Sequence, residues 1–172
     1  FDNVYDLDKD NNCVYDECVK PLVLDTFKGT KTTCFAYGQT GSGKTFTMMG
    51  PTDGSVSGMY TLASYDLIDI LNKYEGLELY VSFYEIYCGK LYDLLNKRGL
   101  IELREDAKQR VNLVNNTETQ VTDPEQIMEV INTGLKSRTS GTTGANDESS
   151  RSHAILTFSI KHQGKIFSKM SF

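Results

Sequence analysis

One short segment constrains the fold of this chain more than any other feature. Residues 38–45 have the sequence Gly-Gln-Thr-Gly-Ser-Gly-Lys-Thr, which matches the pattern G-x-x-x-x-G-K-[S/T] at every position. A β-prone run over residues 32–37 precedes it, and we expect a helix to begin at Lys44 or Thr45. Glycines allow a tight turn with inward-pointing N–H groups, and the dipole of the following helix adds positive charge there. The segment therefore predicts an anion-binding loop between a buried parallel strand and a helix.

The chemistry of this loop suits phosphate groups. Lys44 is expected to reach β- and γ-phosphates as a point charge, and the Thr45 hydroxyl is expected to bind Mg²⁺. The alternative is a glycine turn that binds nothing. We assign phosphate binding to the whole segment, which comprises Gly38, Gln39, Thr40, Gly41, Ser42, Gly43, Lys44 and Thr45.

The first 28 residues predict a helix that contains a proline. After a turn-like polar run over residues 8–12, apolar residues recur at helical spacing at Val14, Cys18, Leu22 and Val23. Pro21 lies inside this pattern. It should kink or end the helix unless tertiary packing overrides it.

The remainder of the chain alternates strands with helices. The pattern predicts strands at 77–88, 155–160 and 166–172, helices at 62–71 and from Asp123 onward, a short helix near 91–95 and an antiparallel excursion over 101–121. This order favours an α/β fold of the P-loop NTPase type, with a mixed, mostly parallel central sheet and helices on both faces. We expect residues 1–172 to form part of a single domain.

The composition excludes several classes of partner. The chain is 39% hydrophobic and 24% charged, and 18 Lys and Arg against 23 Asp and Glu give a formal net charge of −5. Because this balance lacks the basic surface that nucleic acids and anionic membranes attract, we expect neither as a partner. No run approaches the roughly 18 apolar residues of a membrane span. The four cysteines form no C-x-x-C pair, so we expect buried free thiols in a reducing compartment, the cytoplasm.

A second polar segment, residues 146–153, has the sequence Asn-Asp-Glu-Ser-Ser-Arg-Ser-His. By itself a serine-rich loop is typical of a solvated connector. Beside a phosphate-binding loop, its hydroxyls instead fit a switch that binds a γ-phosphate and its Mg²⁺ and releases them after hydrolysis. We expect His153 and the strand residue Glu85 to have structural roles, because a lone histidine lacks partner ligands for a metal.

Several segments together resemble the motor domain of kinesins. They are Phe35-Ala36-Tyr37 before the phosphate loop, Tyr84-Glu85-Ile86-Tyr87, Tyr92-Asp93-Leu94-Leu95 and residues 146–153, in the family's order and spacing. Residues 58–63, 82–90 and 138–141 are most similar to kinesin-13, the microtubule-depolymerising branch. Walking kinesins more often have an I-P-R type sequence where Tyr60-Thr61-Leu62 stands here. The resemblance covers essentially the whole chain and implies the kinesin motor fold.

The resemblance also implies roles for individual residues, with ATP as the nucleotide and Mg²⁺ as the metal. The implied catalytic residues are Lys44, Asn146, Ser149, Ser150 and Arg151. Thr45 and Ser150 would contact Mg²⁺, Ser149 would help to hold the phosphate and the attacking water, and Arg151 would pair with a glutamate of the second switch. Phe46 stands where many kinesins have a histidine near adenine, so stacking on the base is expected.

Three elements of the family do not occur in the sequence. They are the D-x-x-G of the second switch, the adenine-contacting R-x-R-P and the K-V-D associated with depolymerisation. We therefore expect the sequence to be a fragment that lacks the second switch and the N-terminal strand.

The resemblance further implies tubulin as the partner. The family places one microtubule contact in the loop around Lys108, Gln109 and Arg110, whose two cations suit an acidic surface. The implied location is the cytoplasm, on the microtubule cytoskeleton and the spindle.

The leading hypothesis is an ATP-dependent microtubule motor ATPase of the kinesin-13 depolymerase type, with a walking kinesin as the alternative. A GTPase would need an N-K-x-D motif, and both candidates, Asn72-Lys73-Tyr74-Glu75 and Asn96-Lys97-Arg98-Gly99, fail at the last position. A nucleotide-binding scaffold without hydrolysis is a further hypothesis, because the second switch is absent from the sequence.

Overall fold

The computed structural model shows a layered α/β fold built on one mixed sheet. It describes residues 1–51, 53–140 and 152–172. The strands are β1 Lys31–Thr33, β2 Leu77–Tyr87, β3 Lys90–Asp93, β4 Gly99–Glu105, β5 Val111–Val114, β6 Thr119–Val121, β7 Ser152–His162 and β8 Lys165–Ser171. The helices are α1 Asn11–Val14, α2 Lys20–Thr26, α3 Lys44–Met49, α4 Met59–Leu71 and α5 Pro124–Ser140, with a π-helical turn, Tyr15–Val19, between α1 and α2.

The strand order of the sheet is β1-β8-β7-β2-β3-β4-β5, with β6 paired to β2. Among the strand pairs that the structure describes, β1 with β8 is parallel and the others are antiparallel. Hairpin connections such as β7 to β8 impose antiparallel pairing on neighbouring strands. The predicted mixed α/β class is confirmed, and the parallel share of the sheet is smaller than predicted.

Strands β2 and β7 form the centre of the sheet and the floor of the core. Leu79, Val81 and Phe83 on β2 pair directly with Ile160, Phe158 and Leu156 on β7, and all six are fully buried. Because side chains alternate along a strand, these residues share one face. Helices α2, α4 and α5 contribute to the same buried cluster, so the helices that reach this core lie against that face.

The first helical segment accommodates Pro21 through a change of helix type. In the π-helical turn the N–H of Lys20 donates to the carbonyl of Tyr15, five residues back. Pro21 then lies in the first turn of α2, where a missing N–H leaves no helical hydrogen bond unmade. The chain therefore stays helical through the proline. Tertiary contacts hold the turn, since Val19 is buried and the Tyr15 hydroxyl donates to Asp66 at 2.8 Å.

Helix α5 begins where the sequence predicts. The Asp123 side chain accepts from the N–H of Gln126 at 2.8 Å, and the Gln126 side chain accepts from the N–H of Thr122 at 2.9 Å. These two hydrogen bonds form a variant of the capping box, because the Gln126 side chain bonds to the N–H of Thr122 instead of that of Asp123. Farther along α5, Gly134 packs directly on the Phe83 ring, which brings the helix close to the sheet.

The short helix predicted near residues 91–95 is wrong, because this stretch is β3 and a turn. Leu91 pairs with Ile86 on one side and Ile101 on the other, so cross-strand contacts override the helical spacing of the leucines. The buried Asp93 carboxylate accepts from the N–H groups of Leu95 and Thr117 at 2.9 and 2.7 Å. The antiparallel excursion predicted over 101–121 is confirmed as β4, β5 and β6. No described helix has the length and apolarity needed to cross a membrane.

Candidate functional site

The phosphate-loop segment lies between β1 and α3, the sequence context that the motif requires. Strand β1 is shorter than the predicted run, since it ends at Thr33. One further bond, from the N–H of Cys34 to the Ser171 carbonyl at 2.9 Å, extends its alignment with β8. Beyond this bond the Phe35 and Tyr37 side chains are exposed. Helix α3 begins at Lys44, as predicted.

The backbone of the loop depends on its glycines. Gly41 and Gly43 have φ angles of 82° and 89°, in the left-handed region that favours glycine. Gly38 is required for a different reason, because a Cβ at this position would overlap the Ser42 hydroxyl. The N–H of Ser42 donates to the Gln39 carbonyl at 3.2 Å, which closes the turn. Residues 38–45 therefore form a tight turn that leads into α3.

Lys44 is bonded to the loop that precedes it. Its ammonium group donates to the carbonyls of Gly38 and Gln39 at 2.8 and 2.7 Å. These bonds hold the ammonium group beside the first two residues of the turn. The neighbouring Thr45 is exposed, and the Phe46 ring is 48% exposed. The three side chains that the sequence assigns to phosphate, metal and base are thus consecutive and accessible.

The residues predicted for the first switch, Asn146, Ser149, Ser150 and Arg151, lie outside the described residues. The described positions on either side of that segment are joined, because Arg138 near the end of α5 donates through Nη2 to the Ser152 hydroxyl at 2.9 Å. The end of α5 and the beginning of β7 are therefore bonded to each other.

Arg138 is also paired with Glu85, a buried residue on β2. Arg138 Nε donates to Glu85 Oε1 at 3.1 Å, and Arg98 Nη1 lies 2.8 Å from Glu85 Oε2. Arg98 and Glu85 Oε2 form an ion pair, but the N–H groups of Arg98 do not point at this oxygen as a hydrogen bond requires. Arg98 has a left-handed φ of 58° and also stacks over the Tyr92 ring at 5.1 Å. These contacts make Glu85 the ion-pair partner of two arginines, which supports the predicted structural role. The sequence did not indicate its partners, because they lie 13 and 53 residues away.

The loop of the proposed microtubule contact is the turn between β4 and β5. Asp106 organises it, because its carboxylate accepts from the N–H groups of Lys108 and Arg110 and from the Arg110 side chain at 2.8 Å. The hydrogen bond from the Arg110 side chain, aided by the backbone donors, lowers the pKa of Asp106 to about 2. Both cations of the turn are exposed. Part of the Arg110 charge is nevertheless balanced within the turn.

The other candidate residues are outside this arrangement. His153 is exposed on β7, opposite Ile86. The four cysteines are free thiols, but the prediction that they are buried is wrong, because Cys18 and Cys88 are exposed and Cys13 and Cys34 are partly exposed. In the described part of the chain, no group of three or more His, Cys, Asp or Glu side chains could hold a metal ion.

Comparisons with known proteins agree with this architecture. The family model of the kinesin motor domain matches residues 1–171. Kinesin-like protein KIN-13B of Arabidopsis thaliana is 49% identical over 164 residues, which are 94% of this chain and 23% of that protein. Kinesin-like protein KIF24 of Homo sapiens is 44% identical over 176 residues, covering 100% of this chain and 13% of that protein.

The solved structure of a fast kinesin superposes with a TM-score of 0.88 at 30% sequence identity. The superposition covers 99% of this chain and 51% of that one. The chain therefore spans about half of the solved kinesin chain and less than a quarter of the two sequence relatives. The family match, the sequence identities and the shared fold agree over nearly every residue, and the chain belongs to the kinesin motor domain family.

Proposed function

We propose that residues 1–172 are part of a single motor domain that hydrolyses ATP and couples hydrolysis to microtubules. The loop over residues 38–45 is the observation that supports this best. Its left-handed glycines, the close approach of Gly38 to Ser42 and the Lys44 ammonium at its mouth form a narrow cationic turn suited to phosphate oxygens. Membership of the kinesin family favours ATP over other phosphate compounds.

In the proposed site each residue has a separate task. Lys44 exchanges its bonds to the Gly38 and Gln39 carbonyls for bonds to phosphate oxygens, so its ammonium stays hydrogen-bonded in both states. Among the described residues, the exposed Thr45 hydroxyl is the proposed ligand for Mg²⁺. The metal, when bound, would supply positive charge that offsets the charge of the phosphates. Phe46 stacks on the adenine ring. Asn146, Ser149, Ser150 and Arg151 are proposed for the first switch, with Ser150 as a second contact to Mg²⁺.

The proposed partner is tubulin, and the proposed location is the cytoplasm, on microtubules and the spindle. The β4–β5 turn offers Lys108 and Arg110 to an acidic surface. Because Asp106 already binds the Arg110 side chain, Lys108 is the stronger candidate for an intermolecular ion pair. The solved fast kinesin has been interpreted in terms of its ATPase mechanism and its interactions with microtubules, which supports the same assignment here.

We propose that the cycle of ATP binding and hydrolysis drives microtubule depolymerisation of the kinesin-13 type. The 49% identity to KIN-13B over nearly the whole chain supports it, together with the similarity of residues 58–63 and 82–90 to that branch. A translocating motor is the second candidate, supported by the superposition on a fast kinesin.

ATP hydrolysis by the full-length protein tests the catalytic part of the proposal. Lys44→Ala should weaken Mg-ATP binding at least about tenfold, because it removes the ammonium cation from the loop mouth. Lys73→Ala is the matched control, since Lys73 is exposed and paired with Asp69. Equal binding and hydrolysis by the wild type and Lys44→Ala would overturn the proposal, and competition by GTP as strong as by ATP would indicate a GTPase.

Microscopy of stabilised microtubules separates the two outputs. Shortening from the ends in the presence of ATP supports the depolymerase. Directional gliding of intact microtubules over immobilised protein supports the translocating motor and contradicts the depolymerase.

A further inference from the structure

Asn11 is a buried polar residue that no sequence motif marks. It is the first residue of α1, and it is 7% exposed. Its side-chain nitrogen Nδ2 donates to the carbonyls of Phe46 at 3.2 Å and Ser57 at 3.1 Å. We call these two hydrogen bonds the Asn11 bridge. They join Asn11 to parts of the chain that are 35 and 46 residues away in sequence.

The bridge connects the far end of the phosphate-loop helix to the start of the next helix. The Phe46 carbonyl lies in α3 and also accepts from the N–H of Gly50 at 2.9 Å, which ends that helix. Ser57 directly precedes Gly58, the residue that begins α4. One asparagine therefore fixes α1, the end of α3 and the start of α4 relative to one another.

The two glycines beside the bridge are packed against each other. A Cβ on Gly58 would overlap the Met49 backbone, and a Cβ on Gly50 would overlap the Val56 carbonyl. The backbone that leaves α3 at Gly50 and the backbone that enters α4 at Gly58 are therefore in direct contact. The Asn11 bridge bonds to a residue on each side of this contact, and it holds the two segments together where the glycines have no side chains to do so.

The two ends of α3 are held by separate sets of bonds. At the first end, Lys44 bonds to two loop carbonyls, and the N–H of Thr47 donates to the Gly43 carbonyl at 2.9 Å. At the other end, the Asn11 bridge holds the Phe46 carbonyl. The first set lies in the phosphate loop, whereas the second holds the backbone of Phe46, whose ring is half-exposed.

We propose that Asn11 is a positioning residue for the nucleoside part of the bound nucleotide, and that it acts through Phe46. The inference rests on the proposed function, because it assumes a nucleotide on the phosphate loop. The amide group is specifically suited to this role, since its NH₂ has two N–H donors and each meets one carbonyl. Aspartate has the same shape but would point a charged acceptor at two carbonyl oxygens.

Binding of Mg-ADP and Mg-pyrophosphate to the full-length protein tests the inference, because the two ligands share phosphates and differ in the nucleoside. Asn11→Asp should raise the Kd of ADP about tenfold and leave the Kd of pyrophosphate within about twofold. Phe46→Ala should show the same pattern. The matched control is Asn12→Ala, because Asn12 is exposed and its amide bonds only to Asp10 among the described residues.

Each outcome decides the question. Equal weakening of both ligands would make Asn11 a general support of the loop and overturn the inference, and so would unchanged ADP binding. If Asn11→Asp does not fold, Asn11→Ser takes its place, and failure of that variant to fold also overturns the inference. Failure of the proposed function has a different signature, because Lys44→Ala would then weaken neither ligand.

Discussion

Glu85 and Arg138 form an ion pair that links strand β2 to helix α5, with 3.1 Å between Glu85 Oε1 and Arg138 Nε. The carboxylate side chain is 3% exposed and the guanidinium side chain 26%. Because Arg138 also donates to Ser152, the pair ties helix α5 to the beginning of β7. The second arginine, Arg98, extends the same cluster to the turn that leads into β4.

Removing the charge of Glu85 should destabilise the fold strongly. Glu85→Gln leaves Arg98 and Arg138 without their shared carboxylate, and breaking a buried ion pair in this way costs about 3 kcal/mol. Urea denaturation of the wild type and variant measures the difference. Glu102→Gln is the control, since its pair with Arg104 is largely exposed and should change stability by less than about 1 kcal/mol. Similar losses in the two variants would contradict the prediction.

Gly134→Ala should destabilise the protein, although alanine normally favours a helix by about 1 kcal/mol over glycine. A Cβ at this position would overlap the Phe83 ring in a filled core, so we expect a net loss of about 1–3 kcal/mol. Thermal or urea denaturation gives the sign. Combining Gly134→Ala with Phe83→Leu should recover part of the loss relative to the sum of the single variants. A stabilising Gly134→Ala would contradict this packing.

Gly38→Ala should weaken Mg-ADP binding at least about tenfold without unfolding the protein. The new methyl group would overlap the Ser42 hydroxyl and force the loop to open. Ser42→Gly removes the overlapping group, so the double variant should regain most of the affinity, and Ser42→Gly alone is the control. Calorimetric titration measures all four proteins. If the double variant binds no better than Gly38→Ala, the overlap is not the cause.

Tyr60 should make the fold sensitive to alkali. Burial raises the pKa of Tyr60 to about 12, so its folded value lies above the ordinary value of 10. Below pH 10 the phenol is neutral in both the folded and the unfolded state, and its contribution to stability is complete. As the pH rises from 10 through about 12, the unfolded state loses this proton more readily, so the free energy of unfolding falls by about 2 kcal/mol. Tyr60→Phe should flatten the fall in stability between pH 10 and 12. Tyr37→Phe, at a highly exposed position, should not, and equal slopes in the two variants would refute the prediction.

Local chemistry accounts for the parts of the structure that the sequence predicts well. The start of α3 at Lys44 and the start of α5 after Asp123 depend on neighbouring residues, namely a glycine-rich turn and a capping box. Strand β2 is recognisable from its long run of β-branched and aromatic residues. In each case, the residues that determine the local structure lie within a few positions of one another in the sequence.

Contacts between distant residues explain what the sequence does not predict. Leu91, Leu94 and Leu95 have helical spacing, yet the pairing of Leu91 with Ile86 and Ile101 makes this stretch extended. The arginines around Glu85 come from a left-handed turn and from the end of α5, which no local pattern connects. Asn11 is a similar case, because its bonding partners exist only after α3 and α4 are packed.

The π-helical turn at Tyr15–Val19 also affects how the residues on its two sides are spaced around the helix axis. Compared with an α-helix it holds an extra residue between Asn11 and the buried Val23. A π-helical turn takes up one residue more than an α-helical turn for nearly the same rotation. The residues on its two sides therefore keep the phase of one continuous helix, with Val23 in the core and the Asn11 amide against the Phe46 and Ser57 carbonyls. Loss of one residue within these five positions would leave that phase nearly unchanged, whereas loss of one residue from α1 or α2 would turn Asn11 by about 100° relative to Val23.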